Sequence, residues 1–185
     1  MGRIVLVTGG SRSGKSAFAQ RAAEALAGRR LFLATCQVSD GEMAARVRRH
    51  QEARRAGTWD SCEEPLDLEG ALRAHGAHDV CLVDCLTLWV SNLLLHGEAQ
   101  GRDVTEEDVV ARCSGILEAC ASRPGVVYFV TNEVGMGIVP ENVLARRFRD
   151  LAGRCNQAIA AAADEVYLVV SGVPLRVKPA GCLPT

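Results

Sequence analysis

With 185 residues, 48% hydrophobic composition and a formal net charge of -1, the chain carries enough apolar material for one sizeable core and is too short for two comfortable domains. The near-neutral balance excludes general disorder and a uniformly basic nucleic-acid-binding surface. No apolar run reaches the length of a membrane span, and Met1-Gly2-Arg3-Ile4 leads straight into a strand pattern without signal-peptide architecture, so a cytoplasmic protein with no nucleic-acid partner is expected.

The first element is the apolar, β-branched run Val5-Leu6-Val7, which ends in Thr8-Gly9-Gly10-Ser11-Arg12-Ser13-Gly14-Lys15-Ser16 and is followed by helix-compatible Ala17-Phe18-Ala19-Gln20-Arg21-Ala22. Strand, glycine-bracketed loop and helix in that order form the context of a Walker A P-loop, and the match over 9–16 is complete. The glycines let backbone N–H groups converge on phosphate oxygens, and the new helix points its positive end at the same anion. Lys15 reaches the outer phosphates and Ser16 holds Mg²⁺ in such a loop. A glycine-rich turn that spells the motif by chance is the competing account, and the correct flanks on both sides argue against it. A nucleoside triphosphate is the expected ligand.

The helix after the loop is expected to run to about Leu26, with Gly28 breaking the pattern before a buried strand over 31–35. Ser39-Asp40-Gly41-Glu42 reads as a helix entry. The helix that follows, 42–54, carries Met43 and Val47 on one side and Arg46, His50 and Arg54 every four residues on another. Gly57 ends it, 59–63 reads as a short extended piece, and 66–74 as a helix opening after Pro65. The apolar run 80–84 ends in Asp84, the kind of strand end that supplies a Walker B acid. An apolar helix over 86–95, an exposed polar loop over 97–102 and a helix from about Thr105 to Ser122 come next. The strand 126–131 delivers Asn132-Glu133-Val134-Gly135-Met136-Gly137 into a loop. Pro140 opens the longest helix, in which Leu144, Phe148, Leu151, Cys155 and Ile159 keep helical spacing to about Ala162. A strand over 166–170, a turn at Gly172 and Pro174, and an edge strand over 175–178 complete the pattern, leaving 179–185 as a tail to a single domain, 1–178.

Strands alternating with helices, without internal repeats, predict an α/β domain with a mainly parallel sheet covered on both faces. Ligands of such sheets lie beyond the carboxyl ends of the strands, where Gly9, Thr35, Asp84 and Asn132-Glu133 should emerge together. The eight cysteines, at 36, 62, 81, 85, 113, 120, 155 and 182, contain no CxxC pair. Most are expected to be buried free thiols acting as small hydrophobes, and a structural zinc site is not expected.

Lys15, Ser16 and Asp84 are the parts needed to hold a Mg²⁺-triphosphate and neutralise charge as a phosphoryl group leaves, a set that serves kinases, ATPases and switch proteins alike. Asp84 also reads as a strand-end carboxylate capping a loop. Glu63 and Glu133 could each meet Mg²⁺, a ribose or an attacking hydroxyl, although an isolated glutamate is more often a solvated surface group. His50 is flanked one turn away by Arg46 and Arg54, which disfavour imidazolium and leave a ring nitrogen free to attack, and which could also neutralise a phosphate. A solvated basic face with an incidental histidine is the alternative from spacing alone. His75, His78 and His96 fall in loop or helix-end settings and receive no role.

Beyond these single residues, the chain resembles the bifunctional adenosylcobinamide kinase / adenosylcobinamide-phosphate guanylyltransferase family of cobalamin biosynthesis from Ile4 to about Lys178. The resemblance rests on the P-loop 8–16, on Glu42-Met43-Ala44-Ala45-Arg46-Val47 with His50, and on Thr131-Asn132-Glu133-Val134-Gly135-Met136-Gly137-Ile138-Val139-Pro140-Glu141-Asn142. It continues through Phe148-Arg149-Asp150-Leu151-Ala152-Gly153-Arg154, Asn156-Gln157, Ala161-Ala162-Ala163-Asp164-Glu165-Val166 and Val169-Val170-Ser171-Gly172. It implies a P-loop NTPase (RecA-like) three-layer sandwich with an antiparallel edge strand. It also implies two reactions, phosphorylation of adenosylcobinamide by ATP or GTP, and transfer of GMP from GTP through a guanylylated histidine to adenosylcobinamide phosphate. That histidine is His50 here, with Lys15 as the second catalytic residue. The nucleotide is implied to lie among Gly9, Gly10, Ser11, Arg12, Ser13, Gly14, Lys15, Ser16, Ala34, Thr35, Cys36, Gln51, Glu52, Ala53, Arg54, Glu63 and Asp84, with Mg²⁺ on Ser16 and Asp84. Cys36 stands where the family has a small polar residue, and some relatives have Glu in place of Asp84. A homotrimer is the family's assembly. A monofunctional small-molecule kinase and a nucleotide-dependent switch protein are the competing readings; a generic switch has no need of the segment 132–142.

Overall fold

The computed structural model describes residues 2–36 and 59–179. The helix expected over 42–54, with Arg46, His50, Gln51, Glu52, Ala53 and Arg54, lies outside the described residues, as does Cys182.

Seven strands form one sheet: β1 (Arg3–Gly9), β2 (Arg30–Ala34), β3 (Trp59–Glu63), β4 (Val80–Asp84), β5 (Val126–Val130), β6 (Glu165–Val170) and β7 (Val173–Lys178). Their order is β3-β2-β4-β5-β1-β6-β7. Every neighbouring pair is parallel except β6 with β7, an antiparallel edge hairpin. The expected mainly parallel α/β sheet with an antiparallel edge strand is therefore present. The described helices are α1 (Lys15–Glu24), α2 (Leu68–Ala74), α3 (Leu86–Ala99), α4 (Glu106–Ala121) and α5 (Val143–Ala162).

The near-continuous apolar runs of the central strands follow from burial on both faces. In β1, Val5 and Val7 pack with Ala19 and Ala23 of α1 and with Leu82 and Val130, whereas Ile4 and Leu6 face the opposite layer. That second layer contains Leu72 of α2, Trp89 and Leu93 of α3, Val109 and Ile116 of α4, and Leu151 and Ile159 of α5, against Leu33, Val83 and Phe129 of the sheet. The Trp89 indole N–H donates to the Leu66 carbonyl at 2.9 Å, so the largest side chain of the layer is buried without losing its hydrogen bond.

Several boundaries differ from the sequence expectation for identifiable reasons. The helix expected from Leu66 opens at Leu68, because Asp67 caps it by accepting from the Gly70 amide at 3.0 Å and Glu64 Oε1 holds the Leu66 and Asp67 amides. Helix α3 continues past Leu95 to Ala99. Gly97 is buried where a Cβ would lie 2.5 Å from the Val104 side chain, so the glycine marks close packing of the returning chain rather than a loop. Helix α5 opens at Val143, not Pro140: the Asn142 side chain accepts from the Ala145 amide at 2.9 Å, and the Pro140 and Glu141 carbonyls accept from the Arg146 guanidinium. At α4 the expected start holds: Thr105 is the N-cap, its hydroxyl accepting from the Asp108 amide at 3.2 Å while the Asp108 carboxylate accepts from the Thr105 amide at 3.0 Å.

Cys81, Cys85, Cys113, Cys120 and Cys155 are buried free thiols, and Cys36 and Cys62 are half-buried. Burial pushes Cys81 and Cys120 up to about 12. The hydrogen bond with Cys113, followed by burial, holds Cys155 above the usual thiol range. The thiolate is the reactive form, and burial, with the Glu64 and Glu63 carboxylates, pushes the Cys62 thiol up as well. Alkylation of the native protein at about pH 8 should therefore modify half-buried Cys36 and, more slowly, Cys62, and leave the five buried thiols intact until the chain is unfolded. Mass mapping of alkylated peptides reads this pattern, and rapid native modification of any of the five would contradict the packing.

Candidate nucleotide-binding site

The loop between β1 and α1 is shaped by close backbone approach. At Gly9 a Cβ would lie 2.4 Å from the Val169 carbonyl oxygen of β6 and 2.8 Å from Ser13 Oγ, so only glycine lets the chain leave the sheet there. Gly14, the N-cap of α1, adopts φ +91° and stands where a Cβ would be 3.2 Å from Gly172 Cα. The Gly172 amide in turn donates to the Ser13 carbonyl at 2.7 Å, tying the loop to the β6–β7 turn. No side chain caps α1 at its N-cap, which leaves the first-turn N–H groups for an anion.

Two polar groups in this loop are set up for a ligand. Lys15 is only 8% exposed, and its ammonium donates to the Gly10 carbonyl at 3.0 Å. Ser13 Oγ is buried and has no hydrogen-bond partner among the described residues. A buried hydroxyl left unsatisfied costs roughly 1–3 kcal/mol, which a bound phosphate oxygen would offset. Ser11 and Arg12 are exposed and Ser16 is half-buried.

The strand register brings the other sequence-predicted residues to the same end of the sheet. Glu63 pairs with Ala34, Ala34 with Asp84, Asp84 with Val130 and Val130 with Val7, so one row crosses five strands just below the P-loop. Glu63 is exposed, and Ala34, Cys36 and Asp84 are half-buried. Burial pushes the Cys85 thiol up to about 11; the adjoining Asp84 carboxylate adds to this and the Lys15 ammonium opposes it. The register sets Asp84 level with Val7, across β5 from the strand that leads into the phosphate loop. Thr35 is fully buried, and its hydroxyl donates to the Cys85 carbonyl at 2.8 Å and accepts from the Cys85 amide at 2.9 Å. Its carbonyl accepts from Asn92 Nδ2 at 2.8 Å. Thr35 thus locks the ends of β2 and β4 together, a contribution different from a hydroxyl offered to a ligand.

The end of β5 brings Asn132 and Glu133 to the loop, as the strand pattern leads one to expect, through contacts that leave no trace in that pattern. The Thr8 hydroxyl donates to Glu133 Oε1 at 2.6 Å, and the Glu133 amide donates to the Gly9 carbonyl at 3.2 Å. Behind them Thr131 Oγ1 donates to Asn156 Oδ1 at 2.7 Å, Asn156 Nδ2 to the Asn132 carbonyl at 3.1 Å, and the Asn132 amide to Thr87 Oγ1 at 2.8 Å. Asn156 is the trace of this network in the sequence, a polar residue beside the apolar stripe of α5. Beyond Glu133 a short 3₁₀ turn, Val134–Met136, leads into exposed Met136, Ile138 and Val139. His50 and 51–54 lie outside the described residues.

The chain matches the model of the family described as cobinamide kinase / cobinamide phosphate guanyltransferase over residues 5–177. It is 45% identical to the bifunctional adenosylcobalamin biosynthesis protein CobU of Escherichia coli K12, over 95% of this chain and 99% of the relative. It is 47% identical to CobU of Salmonella typhimurium LT2 over the same shares, and 42% identical to CobP of Pseudomonas aeruginosa over 94% and 96%. Among solved structures, a prototypical ATPase from the type III secretion system of pathogenic bacteria is similar with a TM-score of 0.53 and 13% identity. That likeness covers 91% of this chain but only about half, 51%, of the ATPase chain, and it bears on the fold alone. With a family model spanning nearly its whole length and relatives above two-fifths identity, the chain belongs to the cobinamide kinase / cobinamide phosphate guanyltransferase family.

Proposed function

We propose that this protein phosphorylates the hydroxyl of the aminopropanol arm of adenosylcobinamide with ATP or GTP and then transfers GMP from GTP to the resulting phosphate. Membership of the family supports the pair of reactions. The observation that carries the nucleotide half is the loop 9–16, where buried Lys15 and the unsatisfied Ser13 hydroxyl sit at an uncapped helix N-terminus, at the end of the sheet where Asp84 also emerges.

In the first reaction the acceptor oxygen bonds to the γ-phosphorus and the γ-phosphorus to bridging-oxygen bond breaks, releasing the nucleoside diphosphate. The loop amides and Lys15 hold the phosphates and neutralise the charge that develops on them. Ser16 and Asp84, a hydroxyl and a carboxylate, are hard oxygen donors of the kind Mg²⁺ takes, and both are half-buried at the site. They would hold the ion, which when bound supplies further charge neutralisation to the triphosphate. In the second reaction an imidazole nitrogen of His50 bonds to the α-phosphorus of GTP as pyrophosphate leaves. A phosphate oxygen of the acceptor then displaces the histidine, so one difficult transfer becomes two easier ones. One phosphate-holding loop serves both reactions in this reading.

GTP labelled at the α-phosphate should leave acid-labile label on the protein without any corrinoid, and His50→Ala should abolish it. Absence of label on the wild-type protein would leave a kinase alone. Lys15→Ala should lower both activities by ~10²-fold or more through weakened phosphate binding while the circular dichroism spectrum is retained. Normal turnover by that variant in either reaction would contradict the shared loop.

A further inference from the structure

The kinase step transfers a phosphoryl group to an alcohol, and an alcohol carries a proton that must leave. Asp84, offered above to the metal ion, ends a strand separated from β1 by β5. Glu133 follows β5, the strand directly beside β1, and its backbone is hydrogen-bonded to the first glycine of the phosphate loop. Its carboxylate is half-buried, and one oxygen, Oε1, is held by the Thr8 hydroxyl at 2.6 Å. Among the described residues the other oxygen, Oε2, accepts no hydrogen bond, and no lysine or arginine forms an ion pair with the group. A carboxylate fixed through one oxygen, with the other open beside the loop that holds the γ-phosphate, is arranged to receive a hydroxyl proton.

Resting on the kinase reading above, we propose that Glu133 is the acceptor-side catalytic residue of the phosphoryl transfer, with Thr8 as its positioning residue. The acceptor hydroxyl donates to Glu133 Oε2 and is thereby aimed at the γ-phosphorus. As the new oxygen–phosphorus bond forms and the bond to the leaving diphosphate breaks, the hydroxyl proton passes to the carboxylate and afterwards to solvent. The guanylyl transfer makes no such demand, because its acceptor is a phosphate oxygen already ionised and its nucleophile is an imidazole. Glu133 therefore separates two reactions that share the nucleotide loop.

Glu133→Gln tests this, since the amide oxygen still accepts from Thr8 while the group no longer takes a proton. Phosphorylation of adenosylcobinamide by the variant should fall in kcat by roughly 10²–10⁴-fold, with GTP affinity and α-phosphate labelling of the protein within about threefold of wild type. Glu133→Asp, which keeps the carboxylate on a shorter arm, should recover part of the kinase rate, and Thr8→Val should cost less than Glu133→Gln. Kinase activity within about threefold of wild type in Glu133→Gln would overturn the proposal. So would a parallel loss of kinase, labelling and GTP affinity, or a Thr8→Val defect as large as that of Glu133→Gln, each of which marks a purely structural latch. A wild-type protein that labels with GTP yet never phosphorylates adenosylcobinamide would instead overturn the kinase reading itself.

Discussion

The absence of a side chain at Gly9 is the constraint on which the site depends. A Cβ there would collide with the Val169 carbonyl on one side and Ser13 Oγ on the other, and the chain could not turn off the sheet at that level. With the turn made, Gly14 carries the left-handed conformation that starts α1 without a side-chain cap, and the Gly172 amide clamps Ser13 from the β6–β7 turn. The loop is thereby fixed to its own strand, to the next strand and to the helix before any nucleotide arrives. Such preorganisation matters because a chain of net charge -1 has no general attraction for a triphosphate, so in the proposed reading local dipoles and buried Lys15 do much of the holding.

A second layer of polar contacts keeps the neighbouring strand ends equally rigid. Thr35 bridges β2 to the residue after β4, and the Thr87, Thr131, Asn132 and Asn156 network joins the end of β5 to α3 and α5. Buried polar groups are costly unless paired, and once paired they specify one arrangement. The consequence is that Asp84, Glu133 and the P-loop are presented by three adjacent strands whose relative heights are set by side-chain hydrogen bonds as well as by the ladder. Transfer of a phosphoryl group is mostly a matter of such positioning.

Much of this was legible in the residues. The P-loop flanks, the apolar runs and the carboxyl-end convergence of Gly9, Thr35, Asp84 and Glu133 follow from local pattern and from the rules of parallel sheets. Strand order and the Thr8–Glu133 contact are not, because they join residues far apart in the chain and leave no periodic trace. Boundaries moved where a side chain caps or packs unexpectedly: Asn142 rather than Pro140 starts α5, and buried Gly97 continues α3 instead of ending it. Thr35 shows the same limit at the site, since its place at a strand end was readable while the commitment of its hydroxyl to Cys85 was not.

In the proposed function, one phosphate-holding loop serves two chemically different attacks. Competition with a β,γ-imido analogue of ATP tests it most directly, by comparing its inhibition of α-phosphate labelling by GTP with its inhibition of phosphoryl transfer. Competitive inhibition of both reactions with one inhibition constant is expected of a shared loop. Full suppression of phosphoryl transfer with undiminished labelling would contradict it.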